Sequence, residues 1–130
     1  MSDSDIRRLI RAAKQAKKQA YVPYSGFHVG AALLCSDGTV YTGCNIENAS
    51  FSVTNCAERT ALFKAVSDGH RAFAAIAVVS DSKEITPPCG ACRQALAEFC
   101  GSDFVILMCG SGSDYRQSTL GELLPFAFSL

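Results

Sequence analysis

Cys89-Gly90-Ala91-Cys92 sets two thiols three residues apart, and Cys56-Ala57-Glu58 sets a third thiol two residues before a carboxylate. A CxxC alone is ambiguous between a metal clip and a redox dithiol. At the start of a helix this spacing puts both sulfurs on one face, and Pro88 fits just ahead of such a start. The helix dipole and its free N–H groups favour thiolates there, and thiolates are what zinc binds. Cys56 opens another expected helix and would enjoy the same environment. If both helix starts lie at one edge of a sheet, three thiolates converge. Three protein ligands leave zinc's fourth position to water, which marks a catalytic rather than a structural site.

Glu58 would turn such a metal site into an enzyme. It lies too close to Cys56 in sequence to chelate the same ion easily, but it can reach the water and act as general base. The plainer alternative is a helix-start carboxylate paired with the dipole. Arg59 follows directly and is the nearest cation to a ligand set of formal charge −1, so it is a candidate donor to the thiolates; a surface or interface arginine is the alternative. The two histidines, His28 and His70, read as strand or surface residues rather than ligands of this zinc. Competing readings remain open. A structural zinc module predicts a fourth protein ligand, and a thiol–disulfide enzyme built on Cys89 and Cys92 leaves Cys56 and Glu58 without a use.

The elements that must position these groups follow from periodicity and turn chemistry. Ile6, Leu9, Ile10, Ala13, Ala16 and Ala20 recur at helical spacing, so 5–20 reads as a helix, with Arg7, Arg11, Lys14 and Lys18 as its wet stripe. Residues 27–35 and 39–46 read as two strands joined by a tight turn at Ser36-Asp37-Gly38. Residues 47–55 are polar and irregular. A helix is expected over 56–68 with Asn55 as N-cap, then a buried strand over 74–80, a second helix over 89–99 and a buried strand over 104–109. A short edge strand and a turn or two of helix close the chain. The order β-β-α-β-α-β implies an α/β fold with three layers, α/β/α, around a mixed sheet of about five strands.

Length and composition agree with one domain over residues 1–130. The formal net charge is zero, so no overall field draws the chain to nucleic acid or to an anionic membrane, and no apolar run approaches a membrane span. Seven cysteines cannot pair completely, and the polar N-terminus is unlike a signal peptide, so a reducing cytoplasm is the default location. Cys35, Cys44, Cys100 and Cys109 read as packing residues.

Taken together, Cys56-Ala-Glu58 and Pro88-Cys-Gly-Ala-Cys92 resemble the zinc nucleoside and nucleobase deaminases, whose signature is a histidine or cysteine, one residue, a glutamate, then Pro-Cys-x-x-Cys. Cysteine at the first position places the chain near the small homotetrameric cytidine deaminases. Val22 to Ala32 resembles that family's first strand, Gly43-Cys-Asn-Ile-Glu-Asn48 its ribose-binding segment, and Arg93-Gln94 and Glu122-Leu-Leu-Pro125 also match. The resemblance implies one zinc per chain, hydrolysis of cytidine and deoxycytidine with hydroxide attack at C4, and Glu58 as proton shuttle. It further implies that Asn45 and Glu47 bind the ribose hydroxyls, that Phe27 flanks the base, and that the Ala57 backbone and the Cys89 carbonyl face the pyrimidine edge. Phe51 and Phe128 occupy positions that contribute aromatic contacts from neighbouring subunits of a homotetramer; Phe51 stands where a tyrosine is expected. Deaminases of polynucleotides or of a cytosine-containing antibiotic are the rivals within this chemistry, and neither explains a diol clamp on a neutral chain.

Overall fold

The computed structural model describes all 130 residues. Helix α1 (Asp3–Lys17) begins two residues earlier than the periodicity predicts. Ser2 caps it: the Asp5 N–H donates to the Ser2 hydroxyl, and the Asp5 carboxylate accepts from the Ser2 N–H. Strands β1 (Val29–Cys35) and β2 (Val40–Cys44) form the expected hairpin, both shorter than their apolar runs. A single 3-10 turn (Phe51–Val53) interrupts the irregular segment, and α2 (Ala57–Ser67) follows. Then come β3 (Phe73–Ser80), α3 (Gly90–Ala97), β4 (Val105–Cys109), β5 (Tyr115–Thr119) and one closing turn, α4 (Leu120–Leu123).

The five strands make one sheet in the order β2-β1-β3-β4-β5. Only β3 and β4 run parallel, and α3 makes the crossover between them. All other neighbours are antiparallel, so the sheet is mixed as expected. Alternation along β1 divides the core. Ala31, Leu33 and Cys35 face α2, α3 and α4, together with Ile76 and Ile106. Ala32 and Leu34 face Leu9 and Ala13 of α1, together with Ala77, Val79 and Leu107. Three layers result, with α1 alone on one face and the remaining helices on the other. Arg7 and Arg11 are exposed on the outer side of α1, as an amphipathic helix requires.

Three boundary expectations are corrected. Phe27 and His28 lie before β1 rather than in it, because side chains capture the backbone there. Asn45 donates to the Phe27 carbonyl, Ser25 accepts from the Phe27 N–H, and Asp81 accepts from the His28 N–H. The N-cap of α2 is Cys56, not Asn55, whose amide instead donates to the Thr60 hydroxyl. Likewise Cys89 is the N-cap of α3 rather than its first residue. Among the cysteines read as packing, Cys35 and Cys109 are buried, while Cys44 and Cys100 are half-buried.

Candidate active site

Two glycines let the layers close on the sheet. A Cβ on Gly43 of β2 would meet the Ala57 carbonyl oxygen and the Ala61 nitrogen, each at 2.5 Å. Its absence allows the first turn of α2 to lie directly on β2. On the opposite face, a Cβ on Gly30 would overlap the backbone of α1 at Ala13 and Lys17. The N-terminal ends of α2 and α3 consequently meet at one edge of the sheet.

There the thiols of Cys56, Cys89 and Cys92 lie within 4.8 Å of one another. Cys56 Sγ is 3.8 Å from Cys89 Sγ. Zinc–sulfur bonds of about 2.3 Å in a tetrahedron require sulfurs about 3.8 Å apart, so the Cys56–Cys89 pair already has that spacing and Cys92 is close enough to complete the set. Neither N-cap cysteine uses its side chain to cap its helix, which leaves both sulfurs free. The Cys56 thiol is pulled down to about 5, chiefly by a hydrogen bond from Cys92 and further by Arg59. Cys92 is pushed up by that same bond to Cys56 and by burial. The Cys56 sulfur is thus the one whose thiolate its neighbours Cys92 and Arg59 favour.

Arg59 reaches back along α2, and its Nη2 donates to Cys56 Sγ at 3.2 Å. Its Nε is buried without a partner. Glu58 is 5% exposed, and burial followed by the charge on Cys56 pushes its carboxyl up to about 7. It lines a cavity of about 200 Å³ with Cys56, Cys89, Ala57 and Asn45. The same cavity is walled by Val29, Thr54, Asn55, Thr86 and Pro87. Sequence reasoning gave none of these five a site role, reading Asn55 only as a helix cap; Thr54-Asn55 directly precedes Cys56 and Thr86-Pro87 stands one residue short of Cys89, which is the signal that could have marked them.

The Asn45 side chain holds the entrance strand: its Oδ1 accepts from the Val29 N–H at 2.9 Å and its Nδ2 donates to the Phe27 carbonyl at 2.8 Å. One donor hydrogen and one acceptor lone pair stay available. Glu47 accepts from the Tyr24 and Ser25 N–H groups at 3.0 and 3.1 Å and from the Ser25 hydroxyl. The hydroxyl bond, aided by those N–H groups, holds its carboxyl below the usual range. Glu47 faces an adjoining cavity of about 390 Å³, walled by Tyr24, Ser25, Phe51 and Thr54. Thr54 borders both cavities, so they are neighbours. Phe51 stacks edge-on to Tyr24 with ring centroids 6.3 Å apart. Phe27 and Phe128 line neither cavity; Phe128 is in the C-terminal tail, where its carbonyl accepts from Gln94. A roomier groove lies on the far face of the sheet, along α1, away from the cysteines.

A three-layer α/β/α domain with three thiols and a buried carboxylate at two helix starts is the arrangement of a zinc-dependent hydrolytic deaminase. Residues 3–108 match the model of the cytidine and deoxycytidylate deaminase zinc-binding region, and the chain belongs to that family. It is 57% identical over 125 residues to the cytidine deaminase of Sporosarcina psychrophila, covering 96% of this chain and 92% of that protein. It is also 57% identical to the cytidine deaminase of Halalkalibacterium halodurans, covering 96% and 95%. The crystal structure of the cytidine deaminase from Burkholderia pseudomallei superposes with a TM-score of 0.92 at 48% identity, covering 98% of this chain and all of that one. No helix is long and apolar enough to cross a membrane.

Proposed function

We propose that this chain, as a single deaminase domain, hydrolyses cytidine and deoxycytidine to uridine and deoxyuridine with release of ammonia. The observation that carries the reading is Glu58, buried beside three cysteines whose spacing fits zinc. Cys56, Cys89 and Cys92 would hold a zinc ion, which would supply a water far more acidic than bulk water. Glu58 takes a proton from the attacking water and hands it to the ring N3, which makes C4 electrophilic. The water oxygen bonds to C4; Glu58 then carries the remaining proton of that C4 hydroxyl to the exocyclic amine, so the C4–N bond breaks, C4=O forms and ammonia leaves. Burial raises the Glu58 carboxyl above the usual carboxylate range, which favours its taking up a proton as well as giving one back. The Ala57 backbone and the Cys89 carbonyl face the polar edge of the base; Phe27, just outside the cavity lining and 40% exposed, would have to turn in to flank it.

The sugar extends from the first cavity toward the adjoining one, Asn45 in the first and Glu47 in the second offering a donor and acceptors to its hydroxyls. These cavities are open, and several large apolar side chains stand exposed around them and along the tail: Phe51 at 77%, Val53 at 62% and Phe128 at 68%. A homotetramer would bury them and complete each site with Phe51 and Phe128 from neighbouring copies. All seven cysteines are unpaired, which suits the reducing cytoplasm.

The test is Glu58→Gln. The variant keeps the shape but cannot accept the proton, so about one zinc per chain is retained while cytidine turnover falls at least ~10²-fold. Turnover near that of the wild type removes Glu58 from the mechanism.

A further inference from the structure

We propose that Cys35, Asp37 and His70 form a second site for a divalent transition metal of the zinc class, separate from the deaminase cavity. The site stands on its own geometry and does not depend on the reading of the three-cysteine cluster. Val29 at one end of β1 borders the deaminase cavity, and Cys35 ends the same strand. Six residues of extended chain separate them by about 20 Å.

Each donor is placed by its own backbone device. Cys35 ends β1 and turns its thiol into the layer between sheet and α2, 1% exposed. Asp37 heads the hairpin turn, with Oδ1 accepting from the Thr39 N–H at 3.0 Å. His70 follows Gly69, whose φ of +99° reverses the chain after α2. The three ligand atoms lie within 4.8 Å of one another. His70 Nε2 is 3.2 Å from Asp37 Oδ2, close to the ~3.4 Å separating a nitrogen and an oxygen on a tetrahedral zinc. Thiol, imidazole and carboxylate together suit zinc or cobalt over harder ions.

The hydrogen bonds around His70 add an independent argument. The Tyr41 hydroxyl donates its one proton to Asp68 Oδ2 at 2.7 Å. It can therefore only accept from His70 Nδ1, 3.3 Å away, so Nδ1 carries a hydrogen. In the neutral ring Nε2 is then a bare lone pair pointed at a carboxylate oxygen. Two acceptors at that distance call for a cation between them, either a proton or a metal ion. A metal ion also captures Cys35, and a ligating histidine whose other nitrogen donates to a fixed partner is the usual outer-shell pattern. Burial holds the Cys35 thiol protonated, so binding releases its proton to solvent as the S–metal bond forms.

The experiment counts metal in the intact protein after dialysis against buffered micromolar free zinc. Wild type should hold two zinc ions per chain. His70→Ala and Asp37→Asn should each hold one, with cytidine turnover unchanged. Tyr41→Phe should weaken the second ion about 10- to 100-fold. Cobalt(II) added to protein loaded with only one zinc per chain should produce a thiolate-to-cobalt charge-transfer band that Cys35→Ala lacks. A wild type that stops at one zinc, or a second zinc that survives both His70→Ala and Asp37→Asn, overturns the site.

Discussion

Gly43→Ala should separate the two jobs that α2 performs, packing on the sheet and presenting Glu58. An added methyl would lie 2.5 Å from the Ala57 oxygen and the Ala61 nitrogen and 2.9 Å from Thr60 Cβ. Two of the three are backbone atoms and cannot rotate aside. Ordinary contact begins near 3.4 Å, so the first turn of α2 must retreat by roughly 1 Å. Overpacking of this kind costs about 1–3 kcal/mol. In a chain of this size that lowers Tm by roughly 3–15 °C. The retreating turn is the one that carries Glu58, and a 1 Å misplacement of a reacting group can cost ~10²-fold in rate. Gly30→Ala is the matched control: its methyl overlaps the α1 backbone on the opposite face, so it should cost comparable stability while turnover stays within a few-fold of wild type. Thermal melts and cytidine turnover below the melting range read both effects. Equal turnover losses in the two variants, or a Gly43→Ala variant with wild-type turnover, would refute the claim that the β2–α2 contact sets the position of Glu58.

Arg59→Ala removes the donor to Cys56 Sγ and should weaken zinc about 10- to 100-fold in competition with a chelator, while the protein still loads fully at saturating zinc; unchanged affinity makes Arg59 a packing residue. Free cytosine should be a very poor substrate beside cytidine, because it leaves the polar groups at Asn45 and Glu47 unpaired; similar kcat/KM for the two would defeat the sugar assignment. Light scattering should give about four chains' mass, and a stable, fully active monomer would rule out the shared site. Asp81 is held at about 2, first by the His28 N–H and then by the His28 ring and Lys17, below its ordinary 3.8. Its stabilising contribution is therefore complete above 3.8 and lost as pH falls from there through 2. The Tm gap between wild type and Asp81→Asn should narrow over that window, and a gap that stays constant would show that the carboxylate's charge contributes nothing.

The legibility of this molecule in its sequence follows the range of the interactions involved. Strand and helix identities were readable because alternation and helical period are local, and the cysteine cluster that could hold a metal because CxxC and Cys-x-Glu are short local motifs. Boundaries failed where side chains compete with the ladder. Asn45 binds the backbone at Phe27 and Val29, eighteen and sixteen residues away, and no local pattern announces that β1 must start late. The α2 cap failed for a related reason. Asparagine is a better capping residue than cysteine, so propensity favours Asn55, yet its amide is committed to Thr60. That departure serves the site: a cap residue that spends its side chain on its own helix cannot also bind a metal, and both helix starts here place a cysteine that makes no cap bond. Gly43 binds these observations together. Its neighbours Asn45 and Glu47 read as functional while Gly43 itself does not, yet it is what allows the uncapped sulfur of Cys56 and the carboxyl of Glu58 to come down onto the sheet edge beside α3. The convergence of the three thiols, left conditional when only the sequence is considered, thus depends on the missing side chain of a strand residue as much as on the cysteines themselves.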